Sequence, residues 1–180
     1  MLNSSPALAE SLAAAARAVG GVLSGVSLKG GLETIGPRNL RAGAQDLSFN
    51  ALRGYGLIDA VLERLLERPL IDKAIRALLL TALAELLNRP QSAYIVVDQA
   101  VEAAGLLGHP RAKGLVNAVL RNFLRRGALL CSEIEKIDSG RFRHPRWWIE
   151  RVRNAHPAQW EEVLRAAHAH PPMTLRVNIR

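Results

Sequence analysis

Between Ile71 and Leu87 the chain sets Ile71, Ile75, Leu78, Leu79, Ala82, Leu83 and Leu86 at helical spacing. Leu80 and Leu87 fall off that stripe, so this helix needs cover on several sides, as the central helix of a bundle does. Arg76, Thr81 and Glu85 interrupt its greasiest part, Ala74 to Leu87, which excludes a membrane span. The other segments must therefore supply a wrapping of helices. Composition agrees: of 180 residues 49% are hydrophobic but only 4% aromatic. That balance suits a folded domain packed through small and branched aliphatic side chains.

The wrapping helices can be read in turn. Ser4-Ser5-Pro6 predicts a helix start, and the alanine-rich stretch after it frays into Gly20-Gly21 and Gly25. Lys29-Gly30-Gly31 reads as a loop. Pro37 opens a helix with Leu40, Ala44, Leu47, Ala51 and Leu52 on its apolar stripe. Gly54-Tyr55-Gly56 breaks it, and Leu57 to Glu67 forms the next. Ser92 to Leu107 is in conflict, because Ile95-Val96-Val97 favours a strand while Val97, Val101 and Ala104 continue a helical period. With no hairpin partner in view, helix is the reading. A further helix is expected from Pro110 to near Gly127, and a short one over Leu129 to Ser139.

His109-Pro110, His144-Pro145 and His156-Pro157 each stand where a helical pattern begins. The last two predict helices over 145–155 and 157–169, ended by Pro171-Pro172. Leu175 to Arg180 alternates with period two, a strand signature. The fold class is thus all-α, a helical bundle over 1–139. The first helices and a strand of a truncated α/β subdomain follow over 140–180. On this reading the chain stops before the strand's partners, and its catalytic half is missing.

The formal charge is +8, and eight arginines against three acids from residue 141 onward supply +5 of it. Such an excess attracts polyanions, with an affinity that falls as salt rises. A single cysteine, Cys131, excludes a disulfide framework and a Cys-rich zinc site, and it fits a reducing cytosol. The opening residues lack a signal peptide's basic and apolar regions. The expectation is a cytoplasmic, soluble chain with no membrane attachment.

On the helix after Pro110, Leu115, Val116, Val119, Leu120 and Phe123 share one side. Arg111, Arg121 and Arg125 lie opposite, with Asn117 at the border. Alone this is a solvated face. Together with Lys113, Arg126, Arg143 and Arg146 it reads as an RNA-binding surface, since the flat arginine fork suits phosphate and base edges. Trp147-Trp148 sits among arginines, as base-stacking aromatics do. Adjacent helical residues point about 100° apart, and Trp148 pairs with Val152, so core packing is the reading for the pair.

Asp98 and Glu102, one turn apart, read as solvated charges. His168 and His170 share no face and make no metal site. Cys131 lacks a neighbouring base and reads as a packed or idle thiol. Gly20-Gly21 and Lys29-Gly30-Gly31 do not lie between a strand and a helix, so no phosphate loop is present. No catalytic, cofactor-binding or metal-binding residue is assigned.

Several runs carry a resemblance. Arg89-Pro90-Gln91-Ser92-Ala93-Tyr94, Asp98-Gln99-Ala100-Val101-Glu102 and Lys113-Gly114-Leu115-Val116-Asn117-Ala118-Val119-Leu120-Arg121 resemble the NusB-like domain. Leu52-Arg53-Gly54-Tyr55, Arg68-Pro69-Leu70, His144-Pro145-Arg146-Trp147-Trp148 and Pro171-Pro172-Met173-Thr174-Leu175-Arg176-Val177-Asn178 resemble the bacterial 16S rRNA cytosine-C5 methyltransferase family (RsmB/Sun/Fmu). The resemblance implies a NusB-like helical RNA-binding domain followed by the start of a ferredoxin-like subdomain. It implies 16S rRNA as partner and S-adenosylmethionine as cofactor of the full-length enzyme, none being bound by this chain. The catalytic Rossmann-like domain and its two cysteines lie outside the chain, so the 180 residues are expected to be inactive alone. They are expected to be monomeric and to pack against the missing catalytic domain. One departure stands out: antiterminators of this fold carry an arginine-rich first helix, and here it offers only Arg17. The alternative is a stand-alone NusB-like antitermination or ribosome-assembly factor, against which residues 141–180 argue. A helical protein–protein module is the third reading.

Overall fold

A computed structural model describes residues 7–168 together with 174 and 176. The described residues form helices and turns, with no strand among them. The predicted central helix is α5 (Lys73–Asn88). Asp72 caps it, its carboxylate accepting from the N–H groups of Ala74 (3.0 Å) and Ile75 (3.1 Å). Apart from Arg76, every residue from Ile75 to Leu86 is buried, including the off-stripe Leu80. Ile71 corrects the reading: it precedes the cap and is 92% exposed.

Around α5 pack α1 (Leu8–Leu23), α3 (Arg38–Arg53), α4 (Tyr55–Leu65), α6 (Ala93–Leu106) and α7 (Lys113–Ile134). α1 buries Leu12, Ala13, Ala14, Ala15, Ala16, Ala18 and Val19 against α3, α5 and α6. Small side chains let the helix axes approach closely; a Cβ on Gly43 of α3 would meet Ser11 Oγ at 2.9 Å. Gly20-Gly21 does not fray α1, which runs on to Leu23 and ends at Ser24 and Gly25, where φ is +93°. Lys29-Gly30-Gly31 is not a loop but part of α2 (Leu28–Glu33), because Ser27 Oγ accepts from Gly30 N–H (3.1 Å). The conflicted segment after Ser92 is helical, as α6.

α7 corrects two boundaries. After a 3-10 turn over Pro110–Ala112 it passes straight through Gly127 to Ile134, so no separate helix covers 129–139. Gly127 is buried against the Phe123 ring, and a Cβ there would overlap it. The glycine serves packing and not termination. Then come α8 (Asp138–Arg141), α9 (Arg146–Ala155) and α10 (Trp160–Ala166). The last begins three residues later than predicted from Pro157. Ser4–Pro6, Pro171-Pro172 and the predicted strand at 175–180, Arg176 apart, lie outside the described residues. No helix among the described residues is long and apolar enough to cross a membrane.

A second, small core holds α8–α10 together: Phe142, Ile149, Val152 and Leu164, with Trp160 against it. Phe142 and Trp160 meet edge to face at 5.3 Å, and Arg153 lies 4.2 Å over the Trp160 ring while pairing with Asp138 (2.5 Å). This unit docks on the bundle through the first turn of α4. Gly56 donates an orphan N–H of that turn to the Arg143 carbonyl (2.9 Å). A Cβ on Gly56 would overlap the carbonyl oxygens of Ser139 and His144.

Gly56→Ala should therefore leave α4 helical yet lift 139–144 from it. The expected cost is about 1–3 kcal/mol, with faster amide hydrogen exchange at residue 56 and at 139–144; unchanged exchange there would refute the docking role. A second test concerns Glu85, 2% exposed, with Oε1 3.2 Å from Arg89 and Oε2 unpartnered. Burial pushes its carboxyl pKa up, against the pull of Arg89. A raised folded-state pKa means stability present at low pH is lost as pH rises past the unfolded value near 4.3. Glu85→Gln should thus raise the Tm at pH 7 and lose that advantage near about pH 4.

Candidate nucleic-acid interface

The periodicity of α7 sets the geometry. Val116, Val119, Leu120 and Phe123 are buried against the bundle, leaving Asn117, Arg121 and Arg125, spaced by four, along the outer side. Arg121 Nε donates to Asn117 Oδ1 (2.9 Å), which holds the guanidinium along the ridge. Arg111, Arg121, Arg125 and Arg126 are exposed, and none has a carboxylate in ion-pairing range among the described residues. Leu115, read as apolar face, is 39% exposed.

Lys113 differs, since Glu102 of α6 neutralises it at 3.0 Å. Between α6 and α7 runs a groove of about 560 Å³ with Tyr94, Val97, Val101, Asn117, Arg121 and Leu124 in its walls. Tyr94 is 79% exposed at this groove. Its ring is an aromatic platform beside arginine that the residue-by-residue reading left unassigned. A lone tyrosine on a mixed helix gives no sequence signal; only the fold brings it opposite Arg121.

The other candidates lie elsewhere. Arg125 faces a second groove with Arg68 and Asn122, and Arg111 a third beside His109 and Asp72. Arg146 pairs with Glu150 (2.8 Å). Arg143 borders a cleft of about 690 Å³ between the bundle and the α8–α10 unit. Its φ of +55° is a left-handed conformation unusual for a side-chain-bearing residue. The eight residues thus form an α7 ridge and a separate junction group.

The tryptophan pair corrects the core reading. Trp147 and Trp148 are 63% and 39% exposed and meet edge to face at 5.7 Å, because Ile149 and Val152 take the inward side of α9. The His144 and His168 rings meet at 4.9 Å, and His144 Nε2 is buried without a partner among the described residues. Burial, and secondarily His168, pushes the His144 pKa down. Cys131 borders the same cleft half-buried, its thiol pKa pushed up by burial and then by Glu135. Asp98 accepts from the Gln99 amide (3.0 Å) while Glu102 turns to Lys113, and the described residues hold no metal-binding group of three.

Two families match the chain: residues 33–125 match the NusB family, and residues 144–180 match the Methyltr_RsmF/B-like, ferredoxin-like domain. Among curated proteins, the ribosomal RNA small subunit methyltransferase B of Pseudomonas syringae is 40% identical over 174 residues. That alignment takes in 93% of this chain and 39% of the relative. The Pseudomonas putida protein of the same name is 39% identical over 174 residues, 93% of this chain and 40% of its own length. A probable ribosomal RNA small subunit methyltransferase B of Coxiella burnetii is 42% identical over 139 residues, 75% of the chain and 32% of the relative. The chain spans only about a third to two fifths of these relatives.

The lowered His144 pKa gives a sign for acid. The unfolded chain takes up the proton first, so stability present above about pH 6.5 is lost as pH falls below it. All three tryptophans lie in 146–160, so their fluorescence reports this unit alone. An acid-induced shift between about pH 7 and 5 is expected, reduced in His144→Gln; an equal shift in both proteins would clear His144.

Proposed function

Because the chain belongs to the NusB family, we propose that it is the RNA-holding, non-catalytic N-terminal portion of an S-adenosylmethionine-dependent 16S rRNA cytosine-C5 methyltransferase. The observation that carries this reading is the ridge of arginines on α7 with no carboxylate partner among the described residues, in a chain that also matches a Methyltr_RsmF/B-like, ferredoxin-like domain. The division proposed is a NusB-like RNA-binding domain over 1–139 and the start of a pre-catalytic subdomain over 140–180.

Such a surface positions rRNA electrostatically. Arginines without carboxylate partners need not break an ion pair to meet phosphate, so each contact keeps its full counterion release. The groove beside Tyr94 adds a place for an unstacked base. Chemistry falls to a downstream domain in this reading. Its cofactor would supply the methyl group, but no residue here is assigned to it: no described glycine-rich turn joins a strand to a helix, so the described residues do not fit an S-adenosylmethionine cradle. The portion acts in the cytoplasm, as a monomer that packs against its own catalytic domain, and is inactive by itself. The match over 144–180 supports this over a stand-alone antitermination or ribosome-assembly factor.

Fluorescence anisotropy with a labelled small-subunit rRNA fragment tests the reading, and absence of binding at low salt would sink it. Replacing Arg121 and Arg125 together with glutamine should weaken binding and flatten the log–log salt slope by about 1.4, two phosphate contacts on a single strand.

A further inference from the structure

The cleft between the bundle and the α8–α10 unit contains more positive charge than its acids balance. Arg53, at the end of α3, faces it from the bundle; Arg141, Arg143 and Arg165 face it from the other side. Glu135 also lines it. Arg141 and Arg165 both pair with one carboxylate, Glu161, the first at 3.0 Å, so only one of the two charges is balanced. Arg53 and Arg143 have no carboxylate in ion-pairing range among the described residues.

Arg143 is also held in an unfavourable backbone conformation. Its φ of +55° costs a residue with a side chain, and the Gly56 N–H bond to its carbonyl helps fix it there. A glycine would adopt that φ without penalty. An arginine in its place, unpaired and bordering a cavity of about 690 Å³, is what an anion site asks for. The volume lies within the range of ligand sites, about 300–1,000 Å³.

We propose that this junction cleft is a second anion site, seating a backbone phosphate of the bound RNA between Arg53 and Arg143. The assignment rests on the RNA-holding reading above and deepens it. The α7 ridge and the cleft are separate contacts for one strand. The arginine fork suits phosphate and carboxylate alike, and RNA is favoured over an acidic protein because Trp147 and Trp148 stand exposed on the adjoining helix. Unpaired bases can stack on such rings.

Cys131 offers a direct readout, being the only cysteine of the chain and bordering this cleft. In the full 180-residue chain, saturating rRNA fragment should slow iodoacetamide alkylation of Cys131. Arg53→Gln combined with Arg143→Gly should lower affinity roughly tenfold at low salt and flatten the salt slope by about 0.7, the one phosphate seated there. Arg143→Gly keeps the backbone path, and a Tm no lower than wild type certifies the fold. Should the double variant melt early, Arg53→Gln alone, at an exposed helix end, carries the test with half the slope change.

The outcomes separate. Wild-type binding with unprotected Cys131 and an unchanged slope in the variants overturns the cleft and leaves the α7 reading standing. No wild-type binding at low salt overturns both. If polyglutamate protects Cys131 as well as RNA does, with the same loss in the variants, the cleft is a site for acidic protein and the RNA assignment falls.

Discussion

The dry surface of α5 is the constraint on which the bundle depends. A helix buried from Ile75 to Leu86, Arg76 aside, has no solvent side, so five helices must close around it. Each buried leucine contributes about 1.5–3 kcal/mol, and Leu78, Leu79, Leu80, Leu83 and Leu86 lie within three turns. That sum is large enough to carry Glu85, a buried carboxylate whose desolvation is met only in part by Arg89. It also explains the alanines of α1. With α3, α5 and α6 all against it, bulkier side chains would hold the axes apart.

The same constraint makes α7 two-sided. Its inner residues complete the cover of the bundle, and 22 residues of helix keep the outer arginines in one row. Charge there costs little, because the outer face stays in water. A ridge of unpaired arginines so placed is free to exchange water and counterions for phosphate. The ridge residues Asn117, Arg121 and Arg125 lie within the segment that matches the NusB family.

The sequence made the periodic parts legible. The bundle centre, the helix after Ser92 and the two faces of α7 all follow from spacing, because burial acts on one helix at a time. It misled where a residue's role is set by a distant neighbour. Gly127 looks like a helix stop, and only the Phe123 ring beside it shows why a glycine is needed mid-helix. Lys29-Gly30-Gly31 looks like a loop until Ser27 is seen capping a short helix. Trp148 and Val152 are four apart, yet Ile149 and Val152 own the inward side of α9. Of the eight basic-surface residues, most face outward as expected, while Lys113 and Arg146 are spoken for by Glu102 and Glu150. The junction cleft was beyond reach, since it draws on positions from 50 to 168.

As proposed, that cleft would tie RNA contact to the fold in a way the α7 ridge would not. Arg53 ends α3, a helix of the large bundle, whereas Arg143 belongs to the segment docked on Gly56. A phosphate held by both would bridge two bodies whose direct contact rests on close backbone packing at one turn of α4. A ligand that binds only the docked arrangement stabilises it by mass action, growing with the logarithm of its concentration once that exceeds the Kd. The strain at Arg143 then has a use: the segment stays in a costly conformation that the anion helps to hold. Burial, and secondarily His168, also pushes the His144 pKa down beside this segment, which disfavours a further positive charge at the junction. On this argument RNA binding would fix the orientation of the α8–α10 unit, and with it the direction in which the following chain leaves the bundle.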